Sequence, residues 1–141
     1  MEISERTPDE HIASLPDDPR VDMELLEWEI VARMPGETRV LYVGKFWGGS
    51  DQRIIGYGEF RYTNSSGKTI ECFMVGLAAQ KNHTSLCVNA VDDDGYLVPR
   101  YKNRLGKAKV GSASIGFKSL ADIEMDVLVE LVDQAASQTG I

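Results

Sequence analysis

The chain is poor in the residues that most often carry chemistry. Its 141 residues include two cysteines, two histidines and five prolines. Two cysteines are too few for a disulfide framework. They also lack the clustered Cys/His spacing that zinc requires. His11 and His83 fall in an N-terminal arm and a turn tip, neither placed to orient a Ser or Cys nucleophile, so no catalytic group is expected. No apolar run approaches the roughly 18–20 residues needed to span a bilayer, so no membrane partner is expected. The first residues, MEISERTPDEH, are acidic and polar, unlike a signal or transit peptide, and a cytoplasmic chain is expected.

What is present suits one globular domain. The chain is 43% hydrophobic and 26% charged, ordinary values for a folded protein long enough to bury a core. Its net charge of −7 is segregated: residues 1–30 hold ten Asp/Glu against two Arg, and residues 96–118 hold six Lys/Arg and no acid. Such an overall charge repels polyanions, which makes nucleic acid an unfavoured partner.

The organising stretch is Ile54–Val91, where turn chemistry divides a largely period-two pattern into three strands. Ile54–Thr63 is the first, with Gly56 and Gly58 flanking Tyr57 on the opposite face. That bare strip admits a close backbone, ring or ligand, a tightly packed helix being the plainest occupant. Asn64-Ser65-Ser66-Gly67 is a hairpin loop. Lys68–Ala78 returns with Ile70, Cys72, Met74 and Gly76 on one face and Glu71, Phe73, Val75 and Leu77 on the other, a central strand buried on both sides. After a turn at 80–83 comes Thr84–Val91. In this meander Cys72 pairs near residues 90–91, so Cys72 and Cys87 lie on opposite faces or several residues apart, too far for a disulfide, and serve as small buried hydrophobes.

In chain order, residues 1–16 read as a loose arm without helical caps, anchored by Ile12 and Leu15, and 17–141 as a single domain. Asp17-Asp18-Pro19 opens a helix reaching about Met34 and stopped by Pro35-Gly36. At 100° per residue, Met23, Leu26, Ile30 and Met34 form one apolar stripe. Val21, Leu25, Trp28 and Ala32 form a second on nearly the opposite side. One sheet cannot bury both, so the second stripe calls for a homodimer or the folded-back arm. Thr38–Val43 is a strand. Gly44–Arg53 is a loop in which Phe46 and Trp47 plug the core edge, a ligand lid being the sharper alternative. Tyr96–Leu105 is a short helix in which Pro99 either sits in the first turn or breaks it, 106–111 a basic loop and Ala113–Phe117 the last strand. A C-terminal helix spans about 125–138, with Leu128, Leu131, Val132 and Ala135 on its core face.

Several motifs dissolve on inspection. Ser66-Gly67-Lys68-Thr69 ends like a phosphate-binding loop, but Tyr62 stands where the first glycine belongs and the segment joins two strands. Asp92-Asp93-Asp94-Gly95 has consecutive acids and no glutamate at the calcium-loop distance. Asp126, Glu130 and Asp133 share one helix face, a solvated acidic surface or a weak hard-cation site. Lys107 and Lys109 belong to a basic segment that is a solvated loop, the partner of an acidic surface, or a site for a phosphorylated ligand or single-stranded nucleic acid. Trp47 and Tyr57 complete the ligand or partner-surface candidates.

The order of short motifs from Ile12 to Ala135 resembles the YdhG-like family, small bacterial domains of unknown function. The matching residues are Leu15-Pro16-Asp17, Trp47-Gly48 with Ser50, Ile55-Gly56-Tyr57-Gly58, Tyr62, Val75-Gly76-Leu77 before Lys81-Asn82, Leu105-Gly106-Lys107 with Lys109, and Leu120-Ala121-Asp122-Ile123 ahead of Asp126-Val127-Leu128. The chain departs from the family pattern at Gly49, where proline is usual, in extra residues between Ser50 and Ile55, and at Ala108, Val110, Ser112 and Ser114. The resemblance implies an α+β fold, an antiparallel sheet covered by helices. Some relatives carry a frataxin-like iron-chaperone label, which extends to weakly bound iron at Asp126, Glu130 and Asp133. The expectation is an α+β antiparallel meander under N- and C-terminal helices, a non-catalytic binding or interaction module for an unidentified protein or small molecule. Iron handling and phosphoanion binding stand as alternatives.

Overall fold

Thr7 starts the first helix. Its hydroxyl accepts from the Glu10 backbone N–H at 3.1 Å, and the Glu10 carboxylate accepts from the Thr7 N–H at 3.1 Å. This capping box satisfies two otherwise orphaned donors, and Pro8, with no N–H to satisfy, occupies the first turn. Helix α1 (Pro8–Ala13) follows, with Pro8, His11 and Ile12 buried. Ahead of it, β1 (Glu2–Ile3) pairs antiparallel with β2 (Arg39–Lys45). The segment expected to be a loose arm is thus held in the domain at both ends by a cap, a strand pair and buried side chains. The structure, a computed structural model, describes residues 2–36, 39–45, 51–63, 65–80, 83–92 and 94–137. Phe46, Trp47 and the Lys81-Asn82 turn lie outside the described residues.

Helix α2 (Asp17–Arg33) is capped by Pro16, so Asp17 and Asp18 sit inside its first turn, where carboxylates favour the positive end of the helix dipole. Pro35 and a left-handed Gly36, φ +81°, follow the cap residue Met34. Strands β3 (Asp51–Thr63), β4 (Thr69–Ala79) and β5 (Thr84–Val88) continue the meander. The chain then makes a small hairpin of β6 (Val91–Asp92) and β7 (Gly95–Tyr96), and a 3-10 helix over Val98–Arg104 with Pro99 in its first turn. It returns as β8 (Lys109–Val110) and β9 (Ser114–Phe117) and ends in α3 (Met125–Ala136). The main sheet has seven strands in the order β1-β2-β3-β4-β5-β9-β8, every pair antiparallel. The fold is α+β, a meander with N- and C-terminal helices on it. No helix among the described residues is long and apolar enough to cross a membrane.

The core lies between the helices and one sheet face. Met23, Leu26, Ile30 and Met34 of α2 and Leu128, Leu131, Val132 and Ala135 of α3 are buried against Leu41, Ile55, Val75, Leu77, Leu86 and Ile115. The opposite face carries a smaller cluster of Ile54, Phe73 and Ala78, with Tyr42 and Cys72 against it. Pairing of β3 with β4 runs Ile55↔Leu77, Gly56↔Gly76 and Tyr57↔Val75, then resumes at Glu59↔Phe73. At the gap Gly58 takes φ +73°, a conformation open chiefly to glycine, and the pairing register is the same on either side. Met74 and Val75 both join the helix-side core, while Cys72 and Phe73 both fall on the far side. This corrects the strict alternation expected of Lys68–Ala78.

The glycine strip is closed by aromatic rings instead of a helix. A Cβ on Gly56 would stand 2.5 Å from Tyr42 Cε2, and one on Gly76 2.6 Å from Phe73 Cε1. The two rings meet with centroids 5.4 Å apart. Cys87 pairs with Gly76, well along β4 from Cys72, and both thiols are free.

Candidate functional site

Two concave surfaces are built from residues that the fold gathers. The first flanks the outer side of α2. Its inner stripe faces the sheet, so the outer one faces solvent: Val21, Leu25 and Trp28 are 50%, 53% and 69% exposed. Helix α1 leaves this stripe open, so the folded-back N-terminal segment is not its cover; instead α1 forms one wall of a groove beside it. That groove, of about 550 Å³, is lined by Ile12 and Ala13 of α1, by Glu24, Glu27, Trp28, Val31 and Ala32 of α2, and by Asp9 and Arg39.

Polar groups at the groove tie the helices to the sheet. Arg39 Nη2 donates to Asp9 Oδ1 at 2.9 Å and also to Glu27, whose other carboxylate oxygen accepts from the Tyr57 hydroxyl. Tyr57, a candidate surface residue by sequence, is buried. It faces the helices because its register places it opposite Arg39 and Val75. Burial pushes its phenol well above the ordinary value, against the opposing pull of Arg39, so the hydroxyl stays protonated as the donor to Glu27.

The second surface lies at the β9–β8 edge. Gly106, φ +89°, passes so near the chain that a Cβ there would stand 2.7 Å from the Asp122 carbonyl oxygen. The Lys107 N–H donates to that same oxygen at 2.7 Å, and Glu124 N–H to Leu105 O at 3.0 Å. The basic segment is thereby pinned beside the start of α3. Lys109 pairs with Gly116, while the neighbouring Val110 pairs with the buried Ile115. A pocket of about 650 Å³ results, lined by His83, Ser85, Lys107, Lys109, Ser114, Lys118 and Asp122 along with Val110 and Phe117. Sequence inspection singled out Lys107 and Lys109. It missed His83, Lys118 and the two serines, which only the strand order β5-β9-β8 brings beside them.

Two of the three acidic residues of α3 are drawn into ion pairs. Asp126, Glu130 and Asp133 are exposed as expected, but Glu130 pairs with Arg104 at 2.7 Å and Asp133 approaches Arg33 at 3.9 Å. The Arg104 guanidinium also lies 5.5 Å from the Tyr101 ring centre. Among the described residues no group of three or more His, Cys, Asp or Glu side chains is arranged to hold a metal ion. These carboxylates link α3 to the 3-10 helix and to α2.

Buried titratable groups are shifted by desolvation. Burial, with Cys72 adding, raises the Cys87 thiol to about 11, and burial raises Cys72. His11 is buried with no hydrogen-bond partner for Nε2 among the described residues. Burial, then the charges of Arg53 and Arg6, lowers its pKa.

No family model, no curated protein and no solved structure matches the chain.

Proposed function

We propose that the chain is a non-catalytic interaction module of the cytoplasm that docks a partner helix along the outer face of α2. The observation that carries this reading is the exposure of Val21, Leu25 and Trp28 on a helix whose opposite side is fully buried. Scattered apolar residues on a surface mean little, but a stripe of them beside a groove marks an interaction site. Burying Leu25 and Trp28 would contribute about 1.5–3 kcal/mol each, and tryptophan is prominent among residues that dominate interface energies.

Charge indicates the occupant. Asp9, Glu24 and Glu27 line the groove against one cation, Arg39, which Asp9 and Glu27 already hold. The complementary partner is an amphipathic helix with Lys or Arg flanking its apolar face. A homodimer through Val21, Leu25 and Trp28 is less complementary, because it would bring like acidic flanks together. The non-catalytic part of the reading is supported by the buried thiols and phenol, which are raised where a nucleophile or base would need lowering. Membership of the YdhG-like family is part of the same proposal, supported by the α+β fold that family implies.

Light scattering and Trp28 fluorescence in a Trp47→Phe background test the reading. The expected result is a monomer whose emission moves to the blue when a designed Leu/Lys amphipathic peptide is added, with affinity reduced at least tenfold by Leu25→Glu. A two-chain mass that Trp28→Glu converts to one chain would make the face a self-interface. Unchanged emission in a monomer would remove the docking role.

A further inference from the structure

We propose that the pocket at the β9–β8 edge binds a small phosphorylated molecule carrying free hydroxyl groups, such as a sugar phosphate or a mononucleotide. The pocket is separate from the α2 groove, although Val21 and Asp22 at the start of α2 line a neighbouring recess with His83 and Lys118. Lys107, Lys109 and Lys118 line the pocket from three separate chain positions, and none of these ammonium groups has an ion-pair partner among the described residues. Elsewhere in this chain of net charge −7, Arg20, Arg33, Arg39 and Arg104 are each paired with an acid. Three exposed ammonium groups lining one pocket with a single acid give it a positive potential that favours an anion. His83 adds an imidazole whose Cδ2 lies 3.4 Å from where a Gly116 Cβ would be. A Cβ at 116 would sit in van der Waals contact with that ring.

The ligand class follows from the lining. Three ammonium groups match a phosphate dianion better than a single carboxylate, and lysine binds phosphate as a point charge. The Ser85 and Ser114 hydroxyls are on hand as donors to phosphate oxygens. Asp122 is the one acid in the lining. It would repel the phosphate and accept from a hydroxyl instead, so it selects a ligand whose uncharged body bears such groups. Val110 and Phe117 supply apolar wall for that body. A volume of about 650 Å³ is in the range of small-molecule sites. The net negative charge of the rest of the chain disfavours a nucleic-acid strand running beyond the pocket.

Isothermal titration of the full chain with ribose 5-phosphate, AMP, inorganic phosphate, ribose and a short single-stranded oligonucleotide decides the matter. The expected result is saturable binding of ribose 5-phosphate or AMP that weakens as salt rises, with no binding of ribose. Lys107→Gln with Lys109→Gln, and separately Lys118→Gln, should each weaken it at least tenfold while the thermal midpoint stays unchanged, since all three side chains are exposed. Asp122→Asn should reduce the preference for ribose 5-phosphate over inorganic phosphate. Equal affinity in wild type and the lysine variants would overturn the site. Tighter binding of the oligonucleotide than of either small phosphate would overturn the ligand class. A Leu25→Glu chain should bind these phosphates as wild type does, which separates failure here from failure of the α2 reading.

Discussion

His11 occupies a buried position with an unpartnered Nε2 and two arginines acting on it. Its folded pKa lies below the usual 6.5. As pH falls below that value the unfolded chain takes up a proton that the folded chain refuses, so stability is lost from about 6.5 down to the folded-state pKa. Urea unfolding at about pH 7.5 and about pH 5.5 should show this as a fall in stability that is smaller in His11→Gln; an equal fall in both would contradict it. Tyr57→Phe should cost about 1–3 kcal/mol, because a mostly buried Glu27 oxygen loses its phenol donor. An unchanged urea midpoint would mean that Arg39 alone satisfies Glu27. Thr7 followed three residues later by Glu10 is a capping-box signature, legible within the segment expected to be a loose arm. The burial of Tyr57 depends instead on Arg39 and Glu27 meeting it across the sheet and helix, which local pattern does not contain.

Among the elements, α2 shows how far periodicity reaches. Its two stripes were legible because 100° spacing assigns each residue a side, and neighbours Leu25 and Leu26 accordingly have opposite fates. Leu26→Ala should cost about 2–5 kcal/mol by opening a cavity in the core, whereas Leu25→Ala should change stability by no more than about 0.5 kcal/mol. Comparable losses in thermal or urea unfolding would mean that the outer stripe is also part of the core. The five longer strands, β2 to β5 and β9, were legible as strands, and the order of β3 to β5 followed from turn residues. The break in alternation between Phe73 and Met74 was not, since it follows no period of two. β8 is too short to produce a period of two, so Lys109–Val110 passed for loop.

Across the whole molecule, segregated charge was plain from composition, and its consequences depend on topology. The acidic first thirty residues become β1, α1 and most of α2, with the groove beside it. The basic segment becomes a pocket only because the chain, after leaving β5, re-enters at the far edge and turns back, setting β9 against β5. That return brings His83 beside Lys109, 26 positions away, an adjacency that no local reading supplies. Glu130 and Asp133 of α3, by contrast, are drawn into ion pairs with Arg104 and Arg33. The docking role of α2 is tested most directly by amide NMR spectra recorded while the designed Leu/Lys helix is titrated into the full-length chain. The account predicts shifts concentrated at Val21–Ala32 and Asp9–Ala13, with the Lys107–Lys118 amides unmoved. Shifts confined to the latter segment, or no shifts at concentrations where the peptide is helical, would contradict it.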